Sequence, residues 1–227
     1  MANFQAHLAT ASLVSGVMAT TSLYADLTIS SQAMVLWALG SLGGLSPDLD
    51  SQNSISQRIY FLLICGLCAW ILADRLPGIL SLPYTVAVIV GSIALLYYLI
   101  LPKACLWLMD HRGNSHSLLA AFTQGFLTTN ITHYVLGLDI QLAYLCGLFF
   151  VFGFLTHLLL DEICAIDLKR WEVKKSFGTA LKLCSLDKWG SSLVLMLLFV
   201  WQVILLPEMA DLTLVLDRLS STLMAFS

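Results

Sequence analysis

The sequence predicts an all-α fold: a polytopic transmembrane helical bundle of about six to seven membrane helices, in a single domain spanning residues 1–227. Of the 227 residues, 59% are hydrophobic and only 11% are charged. A soluble domain is usually about 45–50% apolar and about 25% charged. The apolar runs also follow one another without a Gly/Ser-rich linker. These observations indicate an integral membrane protein, and no nucleic-acid partner is predicted.

Seven apolar segments account for the expected helices, since a membrane-crossing helix needs about 20 mostly apolar residues. They cover roughly residues 8–24, 32–46, 59–73, 79–101, 117–137, 140–160 and 191–206. The first is interrupted by Ser and Thr, the second is short and has three glycines near its end, and the third is also short. We expect those three to tilt, to pack inside the bundle or to cross only in part.

The orientation follows from the basic residues of the connecting segments. If the seven segments alternate across the bilayer, the amino terminus and residues 47–58, 102–116 and 161–190 lie on one side. Nine Lys and Arg residues fall on that side, and only Arg75 and Arg218 fall on the other. Because basic residues accumulate in cytoplasmic loops, this side is predicted to be cytoplasmic.

The scarce His and Asp residues also converge on the predicted cytoplasmic side. Four distant elements carry them: the start of the first segment, the motif PDLD after the second, the motif HRGNSHS before the fifth and the motif HLLLD at the end of the sixth. Imidazole and carboxylate together suit Zn²⁺, Mn²⁺ or Fe²⁺ better than Ca²⁺. Seven ligands exceed the needs of one ion, so either two or more ions bind, or some of the seven are outer partners and a general base. The candidate ligands are His7, Asp48, Asp50, His111, His116, His157 and Asp161.

The HRGNSHS motif offers more than ligands. Arg112 has a planar fork that suits phosphate or carboxylate. Ser115 or Ser117 can cap the fifth helix, whose first N–H groups are expected to attract an anion. His133, at the far end of that helix, is predicted to make an ordinary hydrogen bond.

Together these motifs, with KKSFGTALKL at 174–183, resemble the YdjM-like family of bacterial inner-membrane proteins. That family is described as metal-dependent hydrolases, and one member is regulated by LexA in the SOS response. The resemblance covers most of the chain and implies that the seven candidate residues form the metal centre. The family pattern has Thr before the second His of its HRG motif, where this chain keeps a hydroxyl with Ser115.

The ligand types and the helical setting also resemble, more remotely, the zinc-dependent phospholipase C and P1-type nucleases. Those enzymes cleave phosphoesters with clustered zinc ions in an all-helical fold. The basic segment 161–190 then has two interpretations: a solvated loop beside anionic lipid headgroups, or a lid that holds a headgroup with Lys174 and Lys175 nearest the phosphate.

The predicted function is that of a membrane-bound metal-dependent hydrolase with a cytoplasm-facing centre. It would act on an ester or phosphoester of a phospholipid or another amphiphile, with Asp48, Arg112 and Ser115 as candidate catalytic residues. The cofactor would be a divalent metal, zinc first and manganese or iron next. The alternatives are a metal transporter or sensor, since intramembrane His and Asp also mark ion pathways, and a scaffold that is only locked by metal.

Overall fold

The computed structural model describes residues 3–50, 54–103, 115–167, 172–173, 182–183 and 189–208. Within these ranges the chain is helical apart from one antiparallel pair of two-residue strands, so the predicted all-α class is confirmed. Seven helices occupy the seven predicted places. They are α1 (Phe4–Tyr24), α2 (Ser30–Gly43), α3 (Ile55–Arg75), α4 (Leu82–Leu95), α5 (Leu118–Asn130), α6 (Ile140–Ala165) and α7 (Trp189–Ile204).

Short elements join or extend these helices. Pro47–Asp50 and Leu76–Gly78 form 3-10 turns, and Leu96–Ile100 and Ile131–Val135 add a π-helical turn to the ends of α4 and α5. After α6, β1 (Ile166–Asp167) pairs with β2 (Glu172–Val173), with Ile166 opposite Val173.

Among the described residues, fewer helices than the predicted six to seven are long and apolar enough to cross a membrane. In the described part of the chain, three helical stretches are long and apolar enough to cross a bilayer: Ile55–Gly78, Leu82–Lys103 and Ile140–Ala165. The helix α2 has 14 residues and is therefore about 21 Å long, against a hydrocarbon core of about 30 Å. It ends early because Gly43, Gly44 and Pro47 follow its last apolar turn. The helix α7, with 16 residues, is also short.

The chain divides into two compact units, which are Met1–Pro47 with His116–Ser227, and Asp48–Ser115. The first unit holds α1, α2, α5, α6 and α7, and the second holds α3 and α4. The prediction of a single domain concerns the whole chain and stays a prediction.

In the first unit, α6 is the central helix. It packs against α1, α2 and α5, and α7 packs against α5. Small residues allow close approach where α6 crosses α2: a Cβ atom added at Gly153 would overlap the carbonyl oxygen of Gly40 and lie 3.0 Å from Gly44 N. Such small-residue crossings are typical of helices that pack within membranes. A buried apolar cluster that includes Leu36 and Phe149 fills the space beside this crossing.

In the second unit, α3 and α4 pack against each other and expose most of their apolar side chains. Cys65 is buried there and Cys68 is half-buried, and neither forms a disulfide bond. Such exposure of apolar side chains is typical of helices that face lipid.

Candidate metal centre

The first candidate ligand is positioned by the start of α1. The side chain of Asn3 accepts a hydrogen bond of 2.9 Å from Ala6 N, so the helix begins at Phe4. His7 lies in the first turn and is the first residue of the buried face of α1. Ala11 and Ser15 follow on the same face at intervals of four residues. This face packs against α2 and α6, and it buries the imidazole of His7.

The second pair of candidate ligands lies near the end of α6. His157 and Asp161 are four residues apart and therefore share one face of the helix. The helix continues to Ala165, so both side chains project from regular helix rather than from a loop. Glu162, the next residue, is also buried. Sequence reasoning did not single out this second carboxyl, although an Asp-Glu pair at the end of an apolar helix is visible in the sequence.

The third element is the start of α5, which His116 precedes directly. Ser117 is the N-cap, and its Oγ accepts a hydrogen bond of 3.2 Å from Ala120 N. The N–H groups of the two residues between Ser117 and Ala120 also have partners. Leu118 N donates to the Lys182 carbonyl at 3.0 Å, and Leu119 N donates to the Leu183 carbonyl at 3.2 Å. The prediction that these N–H groups bind an anion is therefore wrong: peptide carbonyls from a distant segment already occupy them.

The three histidines meet at one carboxylate. The Nε2 atom of His7 lies 3.4 Å from Asp161 Oδ1, and the Nε2 atoms of His116 and His157 lie 3.9 Å and 3.8 Å from Asp161 Oδ2. The side chain of Asp161 is 9% exposed, and the three histidines are 5% exposed or less. The rings of His7 and His157 are stacked with centroids 3.6 Å apart, and His116 meets His157 edge-on at 5.6 Å.

A backbone carbonyl fixes the orientation of His157. Its Nδ1 lies 2.7 Å from the carbonyl oxygen of Gly44. A carbonyl oxygen only accepts, so Nδ1 carries the proton, and in the neutral ring the lone pair is on Nε2. That lone pair is directed at the carboxylate of Asp161, 3.8 Å away, so the buried site offers two electron-rich atoms that a cation could bridge.

The distances fit such a cation. Two ligand atoms held at about 2.1 Å from one ion in tetrahedral geometry lie about 3.4 Å apart. One ligand atom each from His116, His157 and Asp161 forms a group within 4.8 Å. His7 Nδ1 is buried and has no hydrogen-bond partner among the described residues. His116, His157 and Asp161 therefore fit a transition-metal ion. His7, which contacts Asp161 through Nε2, has a second buried nitrogen.

A family model described as "YdjM inner membrane protein" matches residues 1–216. The chain belongs to this family. Comparisons with curated proteins and with solved structures find no similar chain. The YdjM match spans all four converging residues, and an inner-membrane family agrees with the three long apolar helices.

The structure thus brings together His7, His116, His157 and Asp161 of the seven ligands that the YdjM resemblance implies. Asp48 is half-buried at the start of the second compact unit, where its carbonyl accepts a hydrogen bond of 3.2 Å from Ser54 Oγ. Ser115 is buried at the other end of that unit. The predicted roles of Asp48 and Ser115 stay predictions. Four other candidates lie outside the described residues: His111, Arg112, Lys174 and Lys175. For Asp50 the structure describes the backbone but not the side chain.

Two polar contacts near the centre have no counterpart in the sequence-based prediction for this YdjM protein. One is the hydrogen bond between His157 and the Gly44 carbonyl, which the types of side chain in the sequence do not predict. The other is the hydrogen bond between Ser46 Oγ, just after α2, and Gln124 Oε1 on α5. The prediction for His133 is confirmed: it lies on the π turn after α5, and its Nδ1 hydrogen-bonds to the Leu138 carbonyl at 3.0 Å.

Proposed function

We propose that this YdjM-family protein is a membrane-bound, metal-dependent hydrolase whose centre faces the cytoplasm. The observation that carries the proposal is the convergence of three buried imidazole Nε2 atoms on the buried carboxylate of Asp161. An uncompensated carboxylate is costly to bury. Its retention beside three histidines supports a site that is completed by a cation.

The donor set supports zinc first, and manganese or iron next, because nitrogen and carboxylate oxygen are the ligands these ions share. His116, His157 and Asp161, whose ligand atoms lie within 4.8 Å of one another, would hold one ion. A second ion is proposed because His7 Nδ1 is a further buried donor, and because Asp48, Asp50 and His111 are candidate ligands in the sequence.

When bound, the metal would supply acidity, lowering the pKa of a water molecule towards neutrality so that the water could act as the nucleophile. The chain's own residues do the rest. Asp48 would accept the proton of the attacking water and return it to the leaving alkoxide as the ester or phosphoester bond breaks. Arg112 would stabilise the negative charge that develops on the substrate. The Ser115 hydroxyl lies one residue before the ligand His116 and donates a hydrogen bond to the substrate.

The proposed substrate is a phosphoester or ester of a lipid or another amphiphile. The centre lies where α1 and α5 begin and α6 ends, so it is at one end of the bundle rather than at its middle. An end that faces the membrane surface is reached from the headgroup layer, and Lys174 and Lys175 would bind an anionic headgroup there. We place this end in the cytoplasm on the positive-inside bias of the sequence. A multi-pass topology is part of the same proposal.

A second candidate is metal binding without hydrolysis, as in a transporter, a sensor or a scaffold. One observation favours it: all four converging side chains are almost completely buried, and closed coordination is typical of structural sites, whereas catalytic sites keep an open position.

Elemental analysis of the detergent-purified chain tests the metal centre, with His116→Ala and Asp161→Ala as site variants. The matched control is His133→Ala, because His133 already has a hydrogen-bond partner away from the centre. The proposal predicts two or more equivalents of zinc, manganese or iron in the wild type and the control, and loss of metal from both site variants. Release of phosphate or fatty acid from lipid phosphoesters by the loaded wild type then separates a hydrolase from a binding protein. A wild type without metal, even after reconstitution, contradicts both candidates.

A further inference from the structure

We propose that the backbone carbonyl of Gly44 is a positioning group that keeps the His157 proton on Nδ1, so that Nε2 is the nitrogen offered to metal. The proposal rests on the metal centre proposed above. It adds that the tight crossing of α2 and α6 sets the metal affinity, although no residue of the crossing binds metal.

The contact has the geometry of a strong hydrogen bond. The distance of 2.7 Å between His157 Nδ1 and Gly44 O is at the short end of the normal range, and His157 is 1% exposed. The last carbonyl groups of a helix have no partner within the helix. At the end of α2, those of Leu42 and Gly43 accept from Leu45 N and Ser46 N, and that of Gly44 accepts from His157.

The crossing of the two helices holds this carbonyl in place. At Gly153, four residues before His157, an added Cβ would overlap the carbonyl oxygen of Gly40 and lie 3.0 Å from Gly44 N. At Gly44 an added Cβ would overlap the methyl group of Ala11. A methyl group at Gly153 must therefore shift the end of α2 relative to α6, and one at Gly44 must shift it relative to α1. Because a hydrogen bond weakens steeply with distance and angle, the displacement would release the proton of His157 from its fixed site.

Loss of the contact has a chemical consequence. With the proton on Nδ1, the Nε2 lone pair is directed at the group that contains His116 and Asp161, where Nε2 is 3.8 Å from Asp161 Oδ2. With the proton on Nε2, the ring would offer Asp161 an N–H group and no ligand atom. Partners of this kind typically change metal affinity by about 10–100-fold when they are removed.

The first test reads the tautomer directly. The full-length chain is labelled with ¹⁵N-histidine, stripped of metal with a chelator, and studied by NMR in detergent, with the signals of His157 assigned by their loss in His157→Gln. In the wild type we expect the proton of the His157 ring on Nδ1 and none on Nε2. We expect Gly153→Ala to give a mixture of the two tautomers. A wild-type signal from a protonated Nε2 would overturn the proposal. So would an unchanged tautomer in a Gly153→Ala variant that binds metal more weakly, because the crossing would then have only a general structural role.

The second test measures affinity for Zn²⁺ by competition with a chromophoric chelator. We expect Gly153→Ala to bind about 10–100-fold more weakly than wild type. The matched control is Gly66→Ala on α3, because an added Cβ there meets nothing within 4 Å. It should bind zinc like the wild type. Equal affinity of Gly153→Ala and wild type would overturn the proposal.

A pair of compensating substitutions at residues 44 and 11 tests the proposal if Gly153→Ala does not fold. Gly44→Ala alone should weaken zinc binding, and Ala11→Gly combined with Gly44→Ala should restore it to within about threefold of wild type, because the second change removes the methyl group that the first one meets. Wild-type affinity in the single variant would contradict the proposal. If the wild type itself binds no zinc, the proposed function fails, whereas the tautomer measured in the metal-free chain still reports on the Gly44 contact separately.

Discussion

Replacing Asp161 by Asn is expected to change the stability of the metal-free and metal-loaded protein differently. The two oxygens of Asp161 face three imidazoles, at 3.4 to 3.9 Å, and the change keeps the shape of the side chain while it removes the charge. In the metal-free protein the new amide N–H can donate to the Nε2 lone pair of His157. Since a buried charge is also removed, the metal-free variant should be as stable as the wild type or more stable.

The metal-loaded state should respond in the opposite direction. Removing a partner of a ligand already costs about 10–100-fold in affinity, and Asp161 is a proposed ligand, so we expect a loss of at least about 100-fold, or about 2.8 kcal/mol. At a free zinc concentration of about 100 Kd the wild type gains about 2.7 kcal/mol of stability, and a variant with a 100-fold higher Kd gains about 0.4 kcal/mol. For a chain of this size these values correspond to rises in the unfolding midpoint of about 5–10 °C and about 1 °C.

Thermal unfolding of the detergent-purified proteins, with and without zinc, measures both effects. The control is Asp139→Asn at the other end of α6, where the exposed Asp139 accepts a hydrogen bond of 2.9 Å from Leu142 N. Asn caps a helix as well as Asp does, so the control should keep the full zinc-induced rise. A large fall in the midpoint of metal-free Asp161→Asn, combined with an unchanged zinc-induced rise, would refute the reasoning, because Asp161 would then be a structural partner of the histidines.

Three further predictions concern residues around the centre. Ser117→Ala should lower the free energy of unfolding by about 1 kcal/mol through loss of the cap on Ala120 N, as denaturant titration would measure, and Ser117→Thr should retain most of it. His133→Gln should leave the metal content unchanged in elemental analysis, since His133 lies at the opposite end of α5 from His116 and hydrogen-bonds there to the Leu138 carbonyl. A loss of metal would place His133 in the centre. Asn130→Leu should change the free energy of unfolding in detergent by less than about 1 kcal/mol. The variant loses two hydrogen bonds to Gln202. It also removes a buried Oδ1 atom that has no hydrogen-bond partner among the described residues, and this gain offsets part of the loss.

The sequence predicted the positions of the helices better than their relation to the membrane. Apolar runs located all seven helices of the described residues, because burial and helix formation both follow from such runs. The number of membrane crossings could not be predicted in the same way. A helix such as α2 is apolar because it packs against α6 through Gly40 and Gly43, and hydropathy does not distinguish burial in protein from burial in lipid.

The centre could be predicted to the extent that it depends on chain direction. Alternating helices bring the start of α1, the start of α5 and the end of α6 to one end, so His7, His116, His157 and Asp161 could be expected there. The carbonyl contacts could not be predicted. All three carbonyls belong to the backbone, so the side chains of the sequence do not reveal them. One is that of Gly44, and the other two, from residues 182–183, accept from the first N–H groups of α5. No sequence pattern near residues 182–183 predicts that they lie beside α5.

The distance along the chain between His7 and Asp161 constrains how the protein is made. Synthesis proceeds from the amino terminus, so His7 leaves the ribosome long before the helix that carries Asp161 exists. During that interval the imidazole has neither its carboxylate partner nor the stacked ring of His157. The three histidines and Asp161 therefore come together only after α6 has been made and has packed. Uptake of the proposed metal would then be a late step of biogenesis, and bound metal would mark chains whose assembly is complete.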